Sequence, residues 1–398
     1  MAVAGEFPSV IAIYRNAGDE TFPLLRNFGV GQSPVALAVG DLNLDSRPDL
    51  ISSSSEVDTI SVLRTVPNGG FLQAPQFPAG LEPVGLVTAD FKRDGKPDLA
   101  ASNENSDNVS ILLGTGLGSF SRGPAVGTAN FPIGLVAADF NNDQIPDLAV
   151  ATNGDCPNDP GGVSIRISNG DGTFESKGDI RSGGTNPSPI TAADFNHDGF
   201  QAPFESGVIM PQVIQVAAAD FNNDEIPDLL ACGAGAYTLA LGVGNGQFQT
   251  PRLILIRLLL DRAALADLNG DGNMDIAAID FASNTVASLL GNGDGTFRRA
   301  GDFLVRGQLL QGITAADVNG DGRLDVALAG LNSHTVTVLL GNGGGAFGPS
   351  ILFGTGVFAQ SPVAADFNGD SKMDLAVTGR IGVAGTVGAV SVLLNTTR

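Results

Sequence analysis

Apolar and polar residues alternate along the chain in short runs, each broken by Gly, Asn, Asp or Pro after a handful of residues. Residues 312–317, GITAAD, alternate and lead into an acidic stretch. LDVALAG (324–330) follows, then HTVTVLLG (334–341), in which Val and Thr alternate. The turn GNGGGAF leads into FGPSILF (347–353). Runs of this length and period predict four β-strands, A to D, joined by tight turns. Asn-Gly and Asp-Gly supply the positive φ that short hairpins require. The same order returns in VSIRISNGDGTF (163–174) and TVASLLGNGDGTF (285–297). No long segment has helical periodicity, so the pattern predicts an all-β chain.

Between strands A and B lies a nine-residue acidic loop. Its leading Asp recurs at Asp41, Asp90, Asp139, Asp194, Asp220, Asp267, Asp317 and Asp366, at gaps of 49, 49, 55, 26, 47, 50 and 49. A four-stranded unit near 49 residues fits one blade of a β-propeller. The expectation is one domain over residues 1–398, a seven-bladed propeller of four-stranded antiparallel blades, with a truncated extra repeat near 188–211. There, ADFNHDG (193–199) runs directly into FQAPF (200–204), which resembles the strand D text FLQAPQF (71–77). Residues 8–30 read as strands C and D, and 361–395 as A, B and C. The N-terminal strand D can therefore complete the last blade, but SVIAIYR and AVSVLLN then compete for one strand C place. A meander sets the A–B and C–D turns on one face. The variable B–C segments 52–58, 102–108, 152–162 and 379–388 share the opposite face.

Composition narrows the function. A net charge of −21 argues against nucleic acid, which needs a basic footprint. The longest apolar run, residues 253–260, is interrupted by Arg257 and is too short to span a membrane. MAVAGEFPSV has neither the basic nor the apolar region of a signal peptide. Cys156 and Cys232 sit in different repeats, which does not suggest a disulfide.

The loops carry the candidate chemistry. Oxygen donors at positions 1, 3, 5 and 9, with a bend at position 6, suit a hard cation of calcium size. Two loops fit in full: Asp267-Asn269-Asp271-Asp275 with Gly272, and Asp317-Asn319-Asp321-Asp325 with Gly322. Four keep every donor and replace the Gly: Asp41-Asn43-Asp45-Asp49, Asp139-Asn141-Asp143-Asp147, Asp220-Asn222-Asp224-Asp228 and Asp366-Asn368-Asp370-Asp374. Lys92 stands at position 3 of the loop 90–98, and Asp194-Asn196-Asp198 lacks a ninth-position Asp. These two are expected weak or empty, leaving about six calcium ions. The twelfth residue from Asp267 is Ala278, not the Glu of an EF-hand. Positions 1, 5 and 9 of the eight loops hold 23 of the 42 acidic residues, so the acidity reads as cation-site composition. Asx-turns without metal are the competing reading. Modules outside the cell bind calcium at about 0.1–1 mM. Such loops would stay empty in a cytosol, and an extracellular, periplasmic or cell-surface location is expected.

AADFNNDQIPDLAV (137–150), LLGNGDGTF (289–297) and AADFNGDSKMDLAV (364–377) resemble the FG-GAP/VCBS repeat family, which is similar to the N-terminal propeller of integrin α chains. The resemblance implies a propeller whose calcium loops join the first two strands of each blade. It also implies adhesion modules, lectins or accessory domains of secreted polysaccharide-degrading enzymes as relatives.

Catalysis is poorly supported. The two histidines, His197 and His334, read as solvated turn residues, and nearly every close carboxylate pair belongs to a loop. A sugar site is disfavoured by the absence of Trp and by only Tyr14 and Tyr237. The 22 Phe residues mostly follow the loop Asp or close the GTF turn, both core-like places. The favoured expectation is a monomeric adhesion module, with a protein or glycan ligand on the face opposite the loops. RLILIRLLLDRAALAD (252–267) reads as a buried edge strand or as an exposed partner patch.

Overall fold

A computed structural model describes residues 10–15, 24–67, 70–72, 75–153, 161–181, 190–194, 213–233, 236–245, 247–256, 260–280, 282–307, 309–330, 333, 335–354, 358–367, 373–381 and 387–394. The truncated repeat lies almost wholly outside the described residues, as do Cys156, His197, His334 and Arg257.

The described strands form seven blade sheets in chain order. Blade 6 shows the plan: strand A Leu310–Ala316, B Asp325–Gly330, C Thr335–Gly341 and D Phe347–Gly354 pair in sequence, all antiparallel. These are the four segments expected from the alternation. Blade 1 starts at Pro34–Gly40, blade 2 at Pro83–Ala89, blade 3 at Pro132–Ala138, blade 4 at Val213–Ala219, blade 5 at Leu260–Ala266 and blade 7 at Phe358–Ala365. Strands A of blades 1–2, 2–3, 4–5, 5–6, 6–7 and 7–1 touch one another, which places them innermost.

Strand B is buried along its whole length, as in Asp275–Asp280 and Asp325–Gly330. The cause is packing on both sides. Ile276 and Ala278 face blade 4 beside Phe221 and Leu239, while Ala277 and Ile279 face blade 6 beside Val326 and Leu328. Strand B therefore reads as a continuous run of small and branched apolar residues, as strands covered on both faces do. Similar clusters join blades 1–2, 2–3, 6–7 and 7–1. The last of these, with Phe367 and Ala376 against Val30 and Leu50, closes the ring.

Edge-on phenylalanine pairs reinforce the interfaces. Phe221 at the second loop position meets Phe297 of the next blade's C–D turn, with centroids 5.8 Å apart, and Phe91 meets Phe174 at 5.4 Å. These are the core-like places expected for GTF and for the residue after the loop Asp.

Both competing strands are accommodated in blade 7. Val387–Leu394 takes the place of strand C, antiparallel to Asp374–Ile381. Val10–Arg15 lies beyond it in parallel, and Leu24–Gly29 forms the outer edge. The segment 252–267 divides into strand D of blade 4, Arg252–Ile256, and strand A of blade 5. Its Leu253 is 59% exposed on that edge, so this residue does not belong to a buried strand. No helix among the described residues is long and apolar enough to cross a membrane.

Candidate functional site

Each acidic loop that is described in full is folded by its own carboxylates. In the loop 317–325, Asp317 Oδ1 accepts the amides of Gly320 and Asp321 at 2.7 and 3.1 Å, and its Oδ2 accepts Gly322 at 2.8 Å. Asn319 Oδ1 accepts the same Asp321 amide at 3.0 Å. Asp321 Oδ1 accepts the Arg323 amide at 2.9 Å. The first and third side chains thus meet at one N–H. The loops at 41, 139, 220 and 267 repeat the pattern, with the fifth-position amide shared at 2.8–3.3 Å.

Positions 4 and 6 both take the left-handed conformation. Gly320 and Gly322 have φ of 75° and 82°, Gly270 and Gly272 of 75° and 84°. Where glycine is absent the conformation persists: Leu44 and Ser46, Asn142 and Gln144, and Asn223 and Glu225 all lie between 58° and 66°. These bends turn the fifth- and sixth-position amides inward onto the first carboxylate.

The ninth-position Asp does something different. Asp325 opens strand B and is fully buried. Its Oδ2 accepts the Val318 amide at 2.9 Å and its Oδ1 accepts the Gly341 amide at 2.8 Å. One carboxylate therefore ties the start of the A–B loop to the end of strand C. Asp49, Asp147, Asp228 and Asp275 make the same two bonds, to Leu42 and Thr65, Phe140 and Ser168, Phe221 and Gly242, and Leu268 and Gly291. Asp374 accepts the Phe367 amide at 2.9 Å. Asp98 holds Lys92 and Gly114 in the loop expected to be weak. The clamp therefore does not depend on a full donor set.

Burial raises the pKa of these clamps, and the backbone amides offset it only in part. Asp49, Asp228 and Asp325 are pushed up to about 6, with the loop's other carboxylates adding to the rise. Asp98, Asp147 and Asp275 shift in the same direction for the same reasons.

The donor chemistry suits a hard cation, since the four side-chain donors in each full loop are oxygens of Asp and Asn. The side-chain oxygens of positions 1 and 3 meet at one amide, and the Asn of position 3 donates its NH2 to the position-5 carboxylate; position 9 is engaged by backbone amides instead. Among the described residues no group of three or more acidic, His or Cys side chains closes on a single point. Cations already lean on some loops. Arg47 reaches Asp45 at 3.1 Å and Arg323 reaches Asp321 at 2.5 Å. In the loop 90–98, Lys92 and Lys96 both hold Asp94. Asn368 and Asp370 lie outside the described residues, as do Asn196 and Asp198.

On the opposite face, the segments read as variable loops prove partly structural. Asp58 and Asp107, both left-handed, accept the amides of Glu82 and Phe131 at 2.8 and 2.9 Å, tying each B–C turn to the following D–A connection. Glu104 and Asn153 in turn donate to the carbonyls of Glu82 and Phe131. The signal was present in the sequence, because Asp58 and Asp107 stand one repeat apart. Val57, Leu81 and Phe131 remain exposed on this face.

Comparison with known proteins agrees with this architecture. FG-GAP-like repeats match residues 41–101, 90–150, 146–201, 220–278, 267–328 and 317–377. Among solved structures, BBS1N in complex with ARL6DN is similar, at 13% identity and a TM-score of 0.55, covering 93% of this chain and 95% of that one. A Lactobacillus plantarum protein gives 12% identity and 0.50, covering 84% and 88%. An Agrocybe aegerita lectin specific for non-reducing terminal N-acetylglucosamine gives 20% and 0.49, covering 88% and 90%. At these identities the likeness to the first two is one of fold. Among curated proteins, none matches the chain. Repeats that cover most of the sequence make this chain a member of the FG-GAP-like repeat family.

Proposed function

We propose that the protein is a calcium-stabilised β-propeller that serves outside the cytoplasm as a binding module, with its ligand surface on the face opposite the acidic loops. The observation that carries the reading is the fifth-position amide shared by the side chains of positions 1 and 3. It draws oxygen donors together in loop after loop, at sites where carboxylates repel unless a cation joins them. Asp267, Asp271 and Asn269 would hold the ion in their loop, and Asp275 would contribute by turning a second lone pair toward it. The ion would supply structure rather than catalysis.

Support for a ligand surface comes from the other face. Its B–C turns are pinned by Asp58 and Asp107, so Val57, Leu81 and Phe131 are presented on a fixed scaffold. A glycan array in calcium and after EGTA, run beside a pull-down with the wild type and Leu81→Asp, tests the module. Adhesion predicts silence on the array and a captured protein lost in Leu81→Asp. Calcium-dependent binding of a defined sugar would replace this reading with the lectin.

A further inference from the structure

We propose that the third strand position of blade 7 is an exchange site, which the N-terminal hairpin can occupy in place of Val387–Leu394. The argument begins with sequence. Residues 10–22, VIAIYRNAGDETF, align without a gap to 335–347, TVTVLLGNGGGAF, which form strand C, the turn and the start of strand D in blade 6. The N-terminal hairpin is thus a C–D pair by its own text. Leu24–Gly29 runs antiparallel to Val10–Arg15, as a strand D does to its strand C.

The structure places this hairpin beside a second strand C. Leu375 pairs with Leu393 as Val326 pairs with Leu339 in blade 6, so Leu393 and Ser391 are the counterparts of Leu339 and Thr337. By the gapless alignment Tyr14 and Ala12 are counterparts of the same two residues. In the parallel pairing, Ala12 faces Ser391 and Tyr14 faces Leu393. Equivalent repeat positions lie side by side, one strand spacing apart.

Two strands with one address therefore share the sheet, and the hold on the outer one is short. The parallel register covers four residues, from Ala12 to Arg15, whereas the antiparallel C–D register of blade 5 covers seven. Parallel pairing is also the weaker kind per residue. A shift of the hairpin by one strand would give blade 7 the regular antiparallel order A–B–C–D. Val387–Leu394 would then be free to add to another sheet edge as an extended strand.

Cross-linking in the full chain tests the exchange, with Cys156→Ser and Cys232→Ala as background. Val377 and Ser391 are direct cross-strand partners, so Val377→Cys with Ser391→Cys reports the observed state. Val377→Cys with Ala12→Cys reports the exchanged state. In the observed arrangement those two positions are two strands apart, about 9–10 Å, beyond the ~7 Å reach of a disulfide. The expected result is that both pairs close within one chain under mild oxidation, the second severalfold faster than a Val377→Cys, Asn27→Cys control. Closure of only the Val377–Ser391 pair overturns the proposal. So does closure of neither, since the position would then be held by neither strand. A disulfide-linked dimer from the Ala12 variant would assign the hairpin to a second copy and likewise overturn exchange within one chain.

Discussion

Asp325 and Asp321 are four residues apart and do opposite things. Asp325 is buried and spends both oxygens on amides that close a blade, while Asp321 sits at the exposed loop tip beside Arg323. In metal-free protein, Asp325→Ala should cost about 2–3 kcal/mol, because two buried amides lose their acceptor. Asp321→Ala should cost less than about 0.5 kcal/mol, as exposed pairs do. Urea melts in EDTA decide this, and equal losses would remove the clamp from the account. The loop tips invite the reverse experiment. Leu44 has a φ of 60° and is half exposed. A left-handed leucine costs about 1–2 kcal/mol, and glycine's extra chain entropy returns part of it. Leu44→Gly should raise stability by about 0.5–1 kcal/mol in the same melts. The clamps also set a pH dependence. Their folded pKa lies above the unfolded carboxylate value, so the folded protein takes up protons first. Without metal, that contribution is present at low pH and lost as pH rises through about 6 at Asp49, Asp228 and Asp325. Calcium needs the ionised form, so its presence should reverse the slope. Tm measured from pH 5 to 7 in EDTA and in calcium checks the reversal; parallel slopes would count against it.

Beside the apolar clusters, the C–D turn ties a blade to its neighbour through the backbone. The Gly172 amide donates to the Phe91 carbonyl of the blade before, and a Cβ at Gly172 would come within 2.7 Å of Leu113. Gly272 shares the left-handed φ but has open space around it. Gly172→Ala should therefore lose about 1–2 kcal/mol more than Gly272→Ala, the difference being overpacking against the adjacent blade. Matched thermal melts would show it, and equal losses would leave backbone strain as the whole effect. This is also the scale at which the sequence was most readable. The period near 49 and the turn residues located the strands, because hairpin geometry is written locally in Gly, Asn and Asp. The second role of position 9 was hidden. A cation ligand and a backbone acceptor are both Asp, and only the register of strand C shows which amide comes within reach. The fourth-position bend was half visible, in Gly270 and Gly320, and obscured by Leu44 and Asn142. Position 7 gives no signal in the donor spacing, although Arg47 and Arg323 compete there with any ion for the fifth-position carboxylate.

At the scale of the whole molecule, charge and closure are one problem. A chain of net charge −21 gathers more than half of its acidic residues into the eight loops. The described loops lie with the C–D turns on one face of the ring, as the clamps require. With a Kd near 0.1 mM and calcium near 2 mM, each occupied loop would add about 1.8 kcal/mol. The loops at 139 and 220 bear no ion pair on Asp143 or Asp224 among the described residues and should fill before those at 41 and 317, where an arginine must first be displaced. The decisive measurement is calcium stoichiometry on metal-stripped protein, paired with melting curves before and after loading. The account predicts about six ions bound at millimolar calcium and a large rise in Tm. Protein that takes up no calcium, and melts at the same temperature with and without it, would contradict the account.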